Sequence, residues 1–295
     1  MIFYRQKVLL ALIEISGGKL SNTDLEKLLF LFCKASKQNH YDFFPYKYGA
    51  FSFLTYYDKC KLVEKGFLKN CTHFELVSSS PSFLQDIKKN DLEELREFFL
   101  RIGNLRGRDL IRKTYLDYPE YASRSEISKK LLSKDEYLEA SSHWNPENEK
   151  LLFTIGYEGK SIDQYLYELL ANNIQVLVDV RKNPFSRKHG FSGKSLREYL
   201  RKVGIRYLHL PELGVPSKLR QDLNGKESYR QLFELYELEI LADKQEALKQ
   251  IEDMIKAKQR IALTCFEADP EMCHRNVVAK HVSANLKENA HSFHI

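Results

Sequence analysis

The hydrophobic positions change their period part-way along the chain. In "FYRQKVLLALIEIS" (3–16) and "SNTDLEKLLFLFCKASKQ" (21–38) apolar residues recur every three or four positions, which predicts two helices. Gly17 and Gly18 supply a stop between them, and Thr23 stands three residues before Glu26 at capping-box spacing. An aromatic loop follows, then a helix from about Ser52 with a turn at Gly66. The charged, leucine-rich pattern from Leu92 to about Ala140 reads as further helix. Residues 1–140 are therefore expected to form a mostly α-helical unit.

"SSHWNPENEK" (141–150) is polar, lacks periodicity and contains Pro146, so it is read as a linker. Beyond it, short apolar runs alternate with amphipathic stretches. "KLLFTIGY", "IQVLVDVR", "IRYLHLP" and "RIALTCFE" are expected strands. "SIDQYLYELLANN", "GKSLREYLRKVG", residues 229–258 and "PEMCHRNVVAKHVSANL" are expected helices. Such alternation predicts an α/β unit over 151–295, with an open, mainly parallel sheet and flanking helices.

Composition narrows the class. At 295 residues the chain is long enough for two cores, and 43% hydrophobic with 29% charged residues is ordinary for a globular protein. No apolar run approaches a membrane span. Arg5, Lys7 and Glu14 interrupt the start, which does not read as a signal peptide, so a cytoplasmic location with no membrane contact is expected. The five cysteines are odd in number and scattered, against a disulfide framework. The net charge of +6 matters through its distribution: Lys188, Lys194, Arg197, Arg201, Lys202, Arg206 and Lys218 fall in one segment. That segment suits a polyanion such as nucleic acid, or is a solvated helix face.

In open α/β sheets, reactive groups gather beyond the carboxyl ends of the strands. Here those ends deliver Tyr157, then Asp179 and Arg181 with "NPFSRKHGFS", then His209 and Glu212, then Cys265, Glu267 and "DPEMCHR". Asp269 suits an N-cap and Pro270 the first helical position, which would put Cys273, His274 and Arg275 in the first turns of a helix, where anions are favoured. Three chemistries compete for these residues. Asp179 and Glu267 would act as general acid and base, with Arg181, Arg187 and Arg275 holding a charged substrate. Cys265, at a strand end beside a helix N-terminus, would be a nucleophile of lowered pKa. Zinc would take Cys265, Cys273 and His274 with His209 or His189, but there is no C-x-x-C pair and adjacent Cys-His ligands are awkward. No metal or cofactor is expected.

At these residues the sequence resembles the DUF 488 family, a domain of unknown function. The motifs are "TIGYEGKS", "VDVRKNPFSRKHGFSGKSL", "YLHLPELG" and "LTCFEADPEMCHR", in order from Phe153 to about His281. The resemblance implies an α/β fold and a map of site residues, without a settled activity. Val215 stands where the family usually has a second glycine. "LEKLLFLFCKAS", "FPYKYGAFSFLTYYD" and "LVEKGFL", within roughly residues 5–70, resemble the Panacea-type antitoxin domain, which implies a module that binds a partner protein or regulates an effector. "VLVDVR" with a later strand-end cysteine resembles rhodanese-like sulfurtransferases more faintly, because the loop after Cys265 lacks the glycines of a persulfide cradle.

The leading expectation is an enzyme acting on a nucleotide or nucleic acid. Asp179, Glu267, Cys265 and His274 are its catalytic candidates, and Tyr157, Arg181, Ser186, Arg187, Phe191, Glu212, Cys273 and Arg275 would bind the substrate. Tyr157 and Phe191 would stack a base. On this reading Asp179→Asn and Arg275→Ala abolish activity and leave the melting temperature nearly unchanged. The alternatives are a non-enzymatic module binding nucleic acid and protein in a defence or toxin–antitoxin setting, and thiol chemistry at Cys265.

Overall fold

In the computed structural model the structure describes residues 2–70, 72–78, 82–142, 150–216, 219, 225–286 and 291–295. The chain divides into two compact units, Met1–Pro146 and Glu147–Ile295. Of the expected linker, residues 143–149 lie outside the described residues, as does Lys218 of the basic segment. No helix among the described residues is long and apolar enough to cross a membrane.

The first unit is helical, as its period requires. Its helices are α1 (Tyr4–Ile15), α2 (Asn22–Ala35), α3 (Phe53–Glu64), α4 (Lys89–Ile102), α5 (Gly107–Asp117), α6 (Ser128–Leu131) and α7 (Lys134–Ser142). Two small antiparallel pairs interrupt them, β1 (Lys19–Leu20) with β4 (Phe74–Glu75) and β2 (Phe44–Tyr46) with β3 (Gly49–Phe51). The cap of α2 is Ser21, whose hydroxyl accepts from the Asp24 amide at 3.1 Å, and not Thr23. The stretch expected as continuous helix from 92 to 140 is broken at Gly103 and again at Pro119.

The second unit is α/β. Five parallel strands, β5 (Leu152–Gly156), β6 (Val176–Asp179), β7 (Arg206–His209), β8 (Ile261–Cys265) and β9 (Phe293–His294), lie in the order β7-β6-β8-β5-β9. Central β5, β6 and β8 are buried on both faces, which explains their unbroken apolar runs. Two-residue β9 is too short to leave a periodic signal, and the sequence reading missed it. The flanking helices are α8 (Ile162–Ala171), α9 (Gly193–Lys202), α10 (Gly225–Glu239), α11 (Gln245–Lys256) and α12 (His274–Asn285). Leu248, Ile251, Met254 and Ile255 of α11 and Val278, Ala279 and Val282 of α12 share a core with the strand residues Val176, Val178, Ile261 and Leu263.

The register places the chemistry. Gly156 pairs with Cys265, and Asp179 pairs with Thr264 on one side and His209 on the other, so the four loops that follow β5, β8, β6 and β7 leave the sheet side by side.

Candidate functional site

The strand-end residues sort into two groups. The first is a closed ion pair. Arg181 Nε donates to Asp179 Oδ1 at 2.8 Å and Arg181 Nη2 donates to Asp179 Oδ2 at 2.5 Å. The Arg181 amide adds a bond to Oδ1 at 3.1 Å, and the Tyr207 hydroxyl one to Oδ2 at 2.7 Å. All four lone-pair positions of the carboxylate are thereby filled. Arg181 Nη1 donates to Tyr157 Oη at 2.9 Å and to the Phe191 carbonyl at 3.0 Å. Both side chains are buried. Burial opposes the Arg181 charge, but the hydrogen bonds and charge of Asp179 more than offset it, and the Arg181 pKa rises.

This geometry departs from the expectation for Asp179 and Arg181. A carboxylate with no open lone pair is a poor base, and a guanidinium facing its own aspartate does not grip a substrate phosphate. Tyr157 and Phe191 stack on each other, ring centroids 4.5 Å apart at 10°, so neither face of the stack between them is open to a base. Arg275 is likewise turned inward: its Nη1 donates to the Glu267 carbonyl and its Nη2 to the Ala268 carbonyl at 3.0 Å. Of the remaining expected binders, Arg187 and Glu212 are exposed, and the Ser186 hydroxyl accepts from the Lys188 amide at 3.2 Å. These side chains do not meet at one rim around an anion.

The second group is built around the thiol at the end of β8. Cys265 Sγ lies 3.7 Å from His274 Nδ1 and 3.3 Å from Glu267 Oε2. His274 Nε2 sits 2.9 Å from the Val180 carbonyl. A carbonyl only accepts, so Nε2 carries a proton, and Nδ1 is the nitrogen turned to the sulfur. Val180 leads out of β6, the strand next to β8. Sheet register therefore sets the histidine against the cysteine.

The local backbone differs from the sequence reading. Asp269 caps a 3-10 turn, Pro270–Met272, accepting from the Glu271 amide at 2.9 Å, while Cys273 itself occupies the N-cap of α12 and His274 begins that helix. Helix α12 thus begins about one turn later in the chain than the sequence reading placed it, with Cys273 and His274, the neighbours of Cys265, at its N-terminus. The pKa of Cys265 falls well below a thiol's ordinary value. The hydrogen bond to the Cys273 thiol is the largest cause; burial opposes it, and the charge and hydrogen bond of His274 with the Phe266 amide reinforce it. Cys273 moves the other way, raised by its burial and then by its bond to Cys265. Burial and the negative charge of Cys265 raise Glu267.

Donor atoms of Cys265, Cys273 and His274 all lie within 4.8 Å of one another, close enough to share a soft cation. The other two histidines that the sequence offers for such a set are engaged elsewhere, His209 Nε2 with the Arg181 carbonyl at 2.9 Å and His189 with the Tyr199 hydroxyl at 3.2 Å.

Beside His274 and Glu267 opens a cavity of about 310 Å³, walled by Val215, Leu232, Phe233 and Met272 with Tyr229 at its side. None of these wall residues is a functional candidate from sequence, and Val215 stands out there only as a departure from the family's usual glycine. Its side chain fills wall space that a glycine would leave open, and the close backbone approach occurs one residue earlier: a Cβ on Gly214 would lie 2.1 Å from the Lys182 amide nitrogen. Tyr207 was also missed, although it sits two residues before His209 on the same strand face.

Residues 161–282, within the second unit, match the family described as Domain of unknown function DUF488. No curated protein and no solved structure matches the chain.

Proposed function

We propose that the C-terminal unit is a thiol-dependent transferase or hydrolase, with Cys265 as nucleophile and His274 as its base. The observation that carries this reading is the 3.7 Å approach of Cys265 Sγ to a His274 ring whose other nitrogen is held by the Val180 carbonyl. The proton on Sγ passes to Nδ1 and the sulfur attacks the electrophilic atom of the substrate. The bond to the leaving group breaks, and the proton on Nδ1 passes to that group. Water or an acceptor then displaces Cys265, and His274 takes the proton of the incoming nucleophile. Glu267, 3.3 Å from the sulfur and shifted toward its protonated form, faces the thiolate without a full opposing charge.

The sign of the Cys265 shift sets the test. A depressed pKa leaves thiolate present below the ordinary thiol range, and reactivity is lost only as pH falls through the folded-state value. Between pH 8.5 and 6.5 a free cysteine peptide loses about 50-fold in its rate with iodoacetamide. Cys265, followed by peptide mapping, is expected to lose far less, and Cys273→Ala to steepen that dependence more than His274→Gln does. A Cys265 profile parallel to the peptide's removes the reading. So does stoichiometric zinc on the purified protein that is lost with Cys265→Ser, which would make the trio a metal centre.

A second reading concerns partners. Helix α9 buries Leu196 and Leu200 and turns Lys194, Arg197, Arg201 and Lys202 to solvent. That basic face supports a nucleic-acid contact outside the thiol site, with phosphates as the ligands.

A further inference from the structure

Both cysteines of the second unit stand in one place. Cys33, Cys60 and Cys71 belong to the first unit, which leaves Cys265 and Cys273 to the second. Cys265 ends β8 and Cys273 caps α12, and the turn between them folds back so that their sulfur atoms lie within 4.8 Å of each other. Both thiols are free and buried. Sulfurs bond at about 2.0 Å, so at most about 2.8 Å remains to close, a distance that side-chain rotation covers. Burial alone drives a thiol's pKa up, as at Cys33, which is pushed to about 12. Cys265 moves down instead, and Cys273 up, through its burial and then the bond to Cys265 and the charge there. A nucleophilic sulfur and a protonated one thus stand side by side. When Cys265 loses its charge, that part of the rise at Cys273 goes with it, while the Arg275 charge that lowers it stays.

From this juxtaposition we infer that Cys265 and Cys273 form an oxidisable dithiol, in which a small hydroperoxide converts Cys265 to a sulfenic acid and Cys273 closes it into a reversible disulfide. The inference rests on the thiol reading of Cys265 and adds the class of oxidant that the same sulfur takes. The Cys265 sulfur attacks the terminal oxygen of the hydroperoxide; a sulfur–oxygen bond forms and the oxygen–oxygen bond breaks. The departing oxygen keeps the electron pair, takes the proton that His274 Nδ1 received from Sγ, and leaves as alcohol, or as water from hydrogen peroxide. Cys273 sulfur then attacks Cys265 sulfur; the disulfide forms, the sulfur–oxygen bond breaks, and hydroxide leaves as water with the Cys273 proton. Two thiols have lost two electrons and two protons to the hydroperoxide, and a dithiol reductant restores them by exchange. Cys265 is 1% exposed, which selects for a small oxidant. Once the disulfide is closed the nucleophile is gone, so oxidation turns the thiol chemistry off.

The test uses the full chain, reduced, freed of reductant and exposed to hydrogen peroxide. Remaining thiols are blocked with N-ethylmaleimide, and the unreduced digest is read by mass spectrometry. A Cys265–Cys273 linked peptide is expected, lighter by two hydrogens than its reduced parts. Iodoacetamide labelling of Cys265 is expected to fall at least about tenfold in the oxidised chain and to return with dithiothreitol. In Cys273→Ala the sulfenic acid has no partner, and its trapping at Cys265 by dimedone is expected to rise at least about fivefold over the parent. Cys273→Ser serves as a second variant if circular dichroism shows Cys273→Ala misfolded, and the linked peptide of the parent needs no variant at all. Peroxide that leaves both cysteines reduced, or takes Cys265 to sulfinic acid without a link, overturns the dithiol. Equal dimedone trapping in parent and folded variant does the same, as does a link from Cys265 to Cys33, Cys60 or Cys71 in its place. If the iodoacetamide rate of the reduced chain still keeps its shallow dependence on pH, the thiol reading survives that failure. A steep dependence together with inertness to peroxide sinks both.

Discussion

Replacing Asp179 by asparagine would remove one charge from a pair shut off from water on both sides. Arg181 would keep its guanidinium, buried and without its counter-charge, and losing one partner of such a pair costs about 3–5 kcal/mol. Asp179→Asn is therefore expected to lower the thermal unfolding midpoint clearly, whereas Arg187→Ala, on an exposed side chain, changes stability by within about 0.5 kcal/mol. Differential scanning calorimetry of both variants checks this, and an Asp179→Asn midpoint equal to the parent's would return the residue to the list of candidate catalysts. The sequence marked Asp179 and Arg181 as a notable pair but not their role. They are two residues apart at a strand end, so their side chains leave on one side and meet each other first. Cys265 was legible as a strand-end thiol. Its relation to His274 was not, since the ring is oriented by Val180 from a neighbouring strand.

At the scale of elements, the turn from β8 into α12 decides where Cys265, Glu267 and His274 stand. Gly156 at the end of β5 makes room for it: a Cβ there would lie 1.8 Å from the Glu267 carbonyl oxygen, the same oxygen that Arg275 holds. The Glu158 amide also donates to the Phe266 carbonyl at 2.8 Å. Gly156→Ala is expected to push this turn outward, at a cost of about 1–3 kcal/mol, and to slow alkylation of Cys265. A denaturant melt together with the iodoacetamide rate measures both, and an unchanged rate would mean that the turn does not set the thiol's surroundings. Strands and helices of the second unit were readable because burial on both faces or on one stripe writes itself into hydrophobic period. Caps were less so. Ser21 and Cys273 took positions expected of Thr23 and Asp269, because Ser, Thr and Asp compete for such sites on nearly equal terms and a 3-10 turn intervenes at Pro270.

For the whole molecule, a net charge of +6 is less informative than where the charge stands. The exposed basic face of α9 predicts nucleic-acid binding that weakens steeply with salt, each phosphate contact adding about 0.9 to the logarithmic slope on duplex DNA. Changing Lys194, Arg197, Arg201 and Lys202 together to glutamine is expected to flatten that slope without altering Cys265 labelling. Fluorescence anisotropy across a salt series tests this, and a salt slope unaffected by the change would remove α9 from the interface. Such a separation follows from the placement of the two features, an exposed basic face on α9 and a buried thiol at the end of β8.

By itself the sequence determined that a helical stretch precedes an α/β unit with a parallel sheet, and that polar, reactive side chains cluster at the ends of its strands. Both are consequences of local hydrophobic period and of chain order, which a linear reading contains. Only the tertiary structure decided which of those side chains face one another. Asp179 and Arg181 close into an internal pair, Arg275 turns onto the backbone, and the thiol of Cys265 meets His274, which lines a cavity. The reason is that hydrogen-bond partners are assigned by strand register and by the aim of each turn, and distances between side chains from separate loops are set only once the sheet has formed.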